Sequence, residues 1–383
     1  MRKVCIVITA RPSYARIKTV LEAVRDHPHL DLQLVVGASA LLERYGPVVD
    51  VIRADGFEPD AVVYMVVEGE NLVTTAKSTG LGVVELATIF DNLKPDIVIS
   101  VADRYETIAT AIAASYLNIP LAHVQGGEVT GSIDEKVRHA VTKLANLHFV
   151  ANERAAERVI RMGEDPNTVF TTGCPSVDLA CRVMAESREP FDPFAHYGGV
   201  GHPFDPRSGY LVVMQHSVTT EYETALDQIR ETLHAIKQLA HPTFWFWPNV
   251  DAGSDGISKG IRHFRETHDI PHIYFLKNMS PEDFLRLLGG CQCLVGNSSV
   301  GIRESAYLGV PVVNIGNRQI GRDRGDNVID VDYQRAAIQE AIREHLANGR
   351  YPSNLLYGDG HAGERIAAIL AERPLTVKKI ITY

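Results

Sequence analysis

Carboxylates gather where apolar runs break off. Asp103 stands beside Arg104, just past PDIVISV, and Glu128 and Asp134 follow IPLAHV in the segment HVQGGEVTGSIDEKVRH (123–139). Acids at adjacent strand ends suit acid–base work in a confined site. Beside Arg104, Asp103 also reads as a plain ion pair or a helix cap. The same segment carries Gln125, an amide that cannot exchange a proton as a base. A second set of residues suits phosphate. Arg11 and Arg16 flank a short loop that feeds a helix, where guanidinium and free backbone N–H groups favour anions; a solvated loop arginine is the alternative for Arg11. Further on, Gln215-His216 ends an apolar run, and a histidine there is either structural or a phosphate or acid–base group. Trp247-Pro248-Asn249 ends another run. Gly296-Asn297-Ser298-Ser299, with Gly301, forms a small-residue turn whose N–H groups and hydroxyls can cradle a pyrophosphate. Glu304, one turn into the next helix, suits a ribose diol or simply faces solvent.

Elements that would position these residues alternate in a regular way. KVCIVIT (3–9) reads as a buried strand and RIKTVLEAVRDH (16–27) as the helix after it. DLQLVVGA, DAVVYM, PDIVISV, IPLAHVQ and LHFVAN read as further strands, with helices between them, one starting near Asp134. Continuous apolar strands between helices mean a parallel sheet covered on both faces, which binds ligands at the carboxyl ends of its strands. Ser132 and Glu135 fit a capping box, and Asp134 and Arg138 stand one turn apart, spaced to pair. The rhythm breaks in ESREPFDPFAHYGGVGHPFDPRSGY, which holds four prolines, and restarts with YLVVMQH, TFWFWPN, HIYFL, CLVGN, VPVVNIG and NVIDV. The expected division is a Rossmann-like α/β domain over 1–188, a linker over 189–208 and a second, nucleotide-binding one over 209–363. An interdomain cleft would hold the ligand, and a last helical segment at about 364–383 would pack back on the first domain.

The totals narrow the class. At 383 residues, with 45% hydrophobic and 22% charged residues and a net charge of -9, the composition is that of a soluble globular protein. An acidic balance speaks against nucleic acid as a partner, while leaving room for a phosphate-bearing small molecule at a local arginine cluster. Five cysteines at irregular spacing fit neither a zinc site nor a redox pair and read as free thiols. No membrane span or signal peptide is expected, which places the protein in the cytoplasm. GDGHAG (358–363) matches a dinucleotide fingerprint by letters but reads as a helix-starting turn, since no strand leads into it.

With these motifs in view, the chain resembles the hydrolysing UDP-N-acetylglucosamine 2-epimerases. They include the epimerase half of the bifunctional animal enzyme and bacterial homologues of sialic and legionaminic acid pathways. The resemblance spans nearly the whole chain and rests on GGEVTGSIDEKVRHAVTKLA, QHSVTT, PNVDAGS, GNSSVGIRE, GNRQIGRDRGDNV and YPSNLLYGDG. It implies a GT-B fold and a soluble homo-oligomer, dimer or tetramer, acting on a UDP-sugar without metal or cofactor. Arg11, Arg104, His216, Asn249, Ser298, Ser299, Glu304 and Arg318 match positions that contact nucleotide or phosphate. Asp103 and Asp134 match catalytic carboxylates, with Gln125, Glu128 and His216 beside them in the expected catalytic group. Glu stands in the family where this chain has Gln125, and Ser and Lys where it has Ala15 and Arg16; these departures bear on the sugar. The alternatives are the same chemistry on a UDP- or GDP-linked 2,4-diacetamido-trideoxyhexose, a non-hydrolysing 2-epimerase, a GT-B glycosyltransferase and a sugar-nucleotide sensor. QHSVTTE, lacking the arginine-rich HRRE-like segment of non-hydrolysing members, favours hydrolysis.

Overall fold

The computed structural model describes residues 1–42, 48–69, 71–101, 103–130, 133–186, 191–218, 220–248 and 253–382. The chain forms two compact units. One comprises Met1–Glu128, Ile133–Leu179 and Tyr357–Tyr383, and the other Val129–Ser132 and Ala180–Leu356.

The first unit runs β1 (Arg2–Ile8), α1 (Arg11–Asp26), β2 (Leu30–Gly37), α2 (Val48–Ala54), β3 (Ala61–Val63), α3 (Leu72–Leu93), β4 (Ile97–Val101) and α4 (Thr107–Tyr116). It continues with β5 (Leu121–Val124), α5 (Ile133–Leu144), β6 (Leu147–Val150), α6 (Glu153–Arg161), β7 (Val169–Thr171) and α7 (Pro175–Ala185). Its seven strands lie in the order β3-β2-β1-β4-β5-β6-β7, every pair parallel. β1 shows why such strands read as unbroken apolar runs. Val4, Ile6 and Ile8 point into one core with α1, while Cys5 and Val7 point into another, opposite core with Phe90 and Leu86 of α3. Strand order reverses between β1 and β4, the switch point at which doubly wound sheets leave a crevice.

The second unit runs α8 (Pro193–His196), β8 (Gly199–Val200), β9 (Leu211–Met214), α9 (Ala225–Leu239), β10 (Thr243–Phe246), α10 (Ser254–Thr267) and β11 (Ile273–Leu276). Then follow α11 (Pro281–Gly290), β12 (Cys293–Gly296), α12 (Glu304–Leu308), β13 (Val312–Ile315), β14 (Val328–Val331) and α13 (Arg335–Asn348). The sheet order is β14-β13-β12-β9-β10-β11-β8, parallel except for β8 at the edge, with its switch point between β9 and β12. The proline-rich stretch is more than a linker. Its Phe194 and Phe204 pack with Phe244 and Tyr274 of the sheet, so aromatic burial ties the segment to the second unit.

α14 (Ala362–Glu372) returns to the first unit. Asp178 of α7 accepts from the N–H groups of Ala362 and Gly363, at 3.0 and 2.7 Å, and from the Thr19 hydroxyl at 3.0 Å. A Cβ at Gly363 would press on the Thr19 backbone, so glycine lets α14 lie close on α1. GDGHAG is thus the turn that starts α14. α1 begins at Arg11, earlier than the reading from position 16, because Pro12 sits in the first turn, where its missing N–H costs nothing. Arg16 is therefore a helical residue. Four of the free cysteines are buried and Cys181 is half-buried. Among the described residues, no helix is long and apolar enough to cross a membrane.

Candidate functional site

In the first unit, the chemistry-bearing side chains stand where β4 and β5 end and α5 begins. Asp103 is 6% exposed, Glu128 3% and Gln125 2%. The group is organised by Arg138, fully buried on α5. Its guanidinium donates to the Glu128 carbonyl at 2.9 Å, to Glu135 Oε2 at 2.7 Å, and to Asp103 Oδ2 at close range. Arg16 Nη1 approaches the other Asp103 oxygen at 3.4 Å. Burial alone would make Arg138 give up its proton more readily; the charges of Asp103, Glu128 and Glu135 more than offset this and hold its pKa above the ordinary value. Asp103 is thereby fixed between two cations. Arg104, next to it, donates through Nε to the fully buried Glu106 at 3.1 Å.

The β5 exit turns sharply. Gln125 has φ +70°, and its backbone N–H still donates to Phe149 O of β6 at 2.8 Å. Its side-chain amide donates to Cys174 Sγ at 2.9 Å, and that sulfur lies 3.0 Å from Ser176 Oγ. Gly127 has φ +74°, and a Cβ there would fall on the Ala155 carbonyl. This turn aims the following acids: Glu128 lies just past it and Asp134 lies half-buried in the first turn of α5. At the β1 exit, Thr9 Oγ1 and Ser13 Oγ are buried and without a hydrogen-bond partner among the described residues, a capacity that ligands commonly use. The side chain of Arg11 lies outside the described residues, as do Ser132 and Asn249.

The second unit builds a different surface at its own switch point. Asn297, fully buried at the end of β12, links both sides of it. Its Oδ1 accepts from the His216 N–H at 2.7 Å and its Nδ2 donates to the His216 carbonyl at 2.8 Å. The Asn297 carbonyl accepts from Arg318 at 3.1 Å and from Gln319 at 2.9 Å. Gly296 has φ +137°, and a Cβ there would collide with the Met214 carbonyl. Ser298 Oγ accepts from Val300 N at 3.5 Å, and Ser299 Oγ accepts from Arg303 at 2.8 Å. A 3-10 turn over Ser299–Gly301 follows, so Glu304 opens a short α12 and does not lie one turn into a longer helix. Its Oε2 is buried, without a hydrogen bond, and its nearest cation is Arg303 Nε at 4.0 Å. Ser217 Oγ, Ser305 Oγ and Gln319 Oε1 are likewise buried and unpartnered among the described residues.

The family profile of UDP-N-acetylglucosamine 2-epimerase matches residues 22–371. The chain belongs to that family. Among its relatives, the UDP-N,N'-diacetylbacillosamine 2-epimerase (hydrolyzing) of Legionella pneumophila is 34% identical over 98% of this chain and 97% of its own. The UDP-N-acetylglucosamine 2-epimerase of Neisseria meningitidis is 28% identical over 97% and 95%. The crystal structure of a Neisseria meningitidis UDP-GlcNAc 2-epimerase bound to UDP-GlcNAc aligns over 97% of this chain and all of its own, at TM-score 0.80 and 17% identity. A Methanocaldococcus jannaschii UDP-GlcNAc 2-epimerase structure aligns over 96% and 99%, at TM-score 0.77 and 18% identity. The epimerase therefore has the two-sheet GT-B fold. Within it the structure links Asp103 and the Glu128 backbone through Arg138 of α5, with Asp134 at the start of the same helix, while the Gln125 side chain turns to Cys174. It also brings His216, Ser298, Ser299 and Arg318 together, with Glu304 just beyond. The roles of Arg138 and Asn297 as clamps were not visible in the sequence, because their partners lie 35 and 81 residues away.

Proposed function

We propose that the chain is a hydrolysing 2-epimerase that turns UDP-N-acetylglucosamine and water into UDP and N-acetylmannosamine. The observation that supports this most is buried Arg138, which grips the Asp103 carboxylate and, through the backbone carbonyl of Glu128, fixes the turn that carries that second buried acid at the strand ends of the first unit. Carbon 2 of the sugar bears a proton that no neighbouring carbonyl acidifies. In the proposed reaction a carboxylate takes that proton while the C1–O bond breaks and UDP departs with the electron pair, leaving a glycal. Water then adds across the double bond, its oxygen to carbon 1 and a proton to carbon 2 from the opposite face. Gln125 cannot take the proton, so the acid–base roles fall to Asp103, Glu128 and Asp134. The second unit, with His216, Ser298, Ser299, Glu304 and Arg318, is proposed to take UDP and steady the charge that grows on the leaving diphosphate. The absence of an arginine-rich segment after β9 supports hydrolysis.

The name of the Legionella pneumophila relative, and its 34% identity, favours a second sugar, UDP-N,N'-diacetylbacillosamine, for the same reaction. NMR in deuterated water decides between them. UDP plus a free 2-epimerised sugar carrying deuterium at carbon 2 is expected, and the sugar nucleotide consumed faster is the substrate. A UDP-linked 2-epimer without free sugar would show a non-hydrolysing enzyme, and inertness toward both would sink the proposal.

A further inference from the structure

Helix α5 carries Asp134 in its first turn and, one turn further in, Arg138, which reaches the Asp103 carboxylate and the Glu128 carbonyl. Its packing is apolar: Val137 and Val141 share a core with Ala109 and Ala113 of α4. Such packing is non-directional, so by itself it leaves a helix some freedom to slide along its axis. Directional bonds remove that freedom, and several gather at the C-terminal end of α5. Thr142 Oγ1 lies 3.0 Å from Nδ1 of His123 on β5, both side chains fully buried. Asn146, just past the helix, exchanges two bonds with Leu121 at the start of the same strand, at 2.7 and 3.0 Å. A further bond comes from 237 residues away. Lys379 Nζ donates to the Thr142 carbonyl at 3.3 Å and, at closer range, to the Ala145 carbonyl, where a cation favours a helix. The segment that brings Lys379 is itself tied down. Arg373 lies over the Phe170 ring, 5.0 Å from its centre, and Thr382 N donates to the Gly163 carbonyl at 3.0 Å.

We propose that Lys379 is a positioning residue: with Thr142 it sets the height of α5 against β5 and so holds Arg138 on Asp103. Thr142 lies four residues beyond Arg138, on the same face of the helix and about 6 Å along its axis, so a slip at Thr142 passes undiminished to the guanidinium. That guanidinium also fixes the turn carrying Glu128, so both acids would lose their setting together. The catalytic part of this inference rests on the reading that Asp103 acts on the sugar. A misplacement of about 1 Å can then cost about 10²-fold in rate.

Steady-state kinetics and amide hydrogen exchange of the full chain test it with Lys379→Met, Lys379→Arg, Thr142→Val, Thr142→Ser and Ile381→Ala. Lys379→Met and Thr142→Val should lower kcat by about tenfold to a hundredfold while KM and UDP affinity change little. Lys379→Arg and Thr142→Ser keep the donor and should recover most of the loss. Ile381 packs on Gly163, so Ile381→Ala loosens the same segment but leaves the Lys379 ammonium in place; it should lower Tm without lowering kcat. The amides of Arg138–Leu144 should exchange faster in Lys379→Met and Thr142→Val, and at the wild-type rate in Ile381→Ala. An unchanged kcat in Lys379→Met, an equal loss in Ile381→Ala, or exchange in α5 indifferent to Lys379 would overturn the proposal. If the wild type consumes neither sugar nucleotide, the proposed reaction falls, while exchange in α5 still decides whether Lys379 holds the helix.

Discussion

Asp103 and Arg138 test the site at the scale of single residues. If Asp103 acts on the sugar and not on uridine, Asp103→Asn should lower kcat by about 10²–10⁴ while UDP affinity, read by calorimetry, changes little. Equal losses in both would mark Asp103 as structural. Arg138→Met should leave the buried Asp103 carboxylate to Arg16, at 3.4 Å, a loss of up to about 3–5 kcal/mol, measurable by urea unfolding. Arg138→Lys should recover part of that, because it keeps the charge and loses the fork. The acids themselves were legible in the sequence, because a carboxylate directly after an apolar run has only a strand end to occupy. Arg138 was legible only as a neighbour one turn from Asp134; its reach to Asp103 depends on β4 lying beside β5 in the sheet, which local spacing does not encode.

Loops and tails decide the next scale. Gly296 admits no side chain, so Gly296→Ala should distort the turn that carries Asn297 and Ser298. UDP at a hundred times its Kd should stabilise the wild type by about 2.7 kcal/mol, and this gain, read as a Tm shift, should shrink or vanish in the variant. A charged knot fastens the tail after α14. Glu164 accepts from Lys143 of α5 at 2.6 Å, from His148 at 3.0 Å and from Lys379, which also reaches the carbonyls of Thr142 and Ala145 that end α5. Burial opposes its charge, but the bonds from His148, Lys143 and Lys379 prevail and hold the carboxyl at about 2 against an ordinary 4.5. The folded value is depressed, so the stabilisation is complete above about pH 4.5 and fades as pH falls toward 2, worth about 3 kcal/mol at most. Acid unfolding of Glu164→Gln should therefore lose that part of the pH dependence and start from a lower Tm at pH 7. The strands around these features were readable from apolar runs. The start of α1 was not, because Pro12 looks like a breaker until its place in the first turn is known.

At the scale of the molecule, the sequence conveyed two alternating α/β patterns and the break between them, but not where the units part. The division falls inside α7, at Leu179, because helix continuity hides it from composition. The second unit is a nearly continuous insertion between α7 and α14 of the first. During synthesis the ribosome therefore releases all seven strands of the first sheet well before the helix that covers α1. A nascent chain ending near Leu356 would expose the apolar flank of α1 that Ile366, Ala367 and Leu370 otherwise cover. Released chains of residues 1–356 should accordingly bind chaperones and pellet on centrifugation where the full chain stays in the supernatant; an equally clear supernatant would show that the closing helix is dispensable. The first unit must wait, half-finished, for a helix made only after the whole of the second.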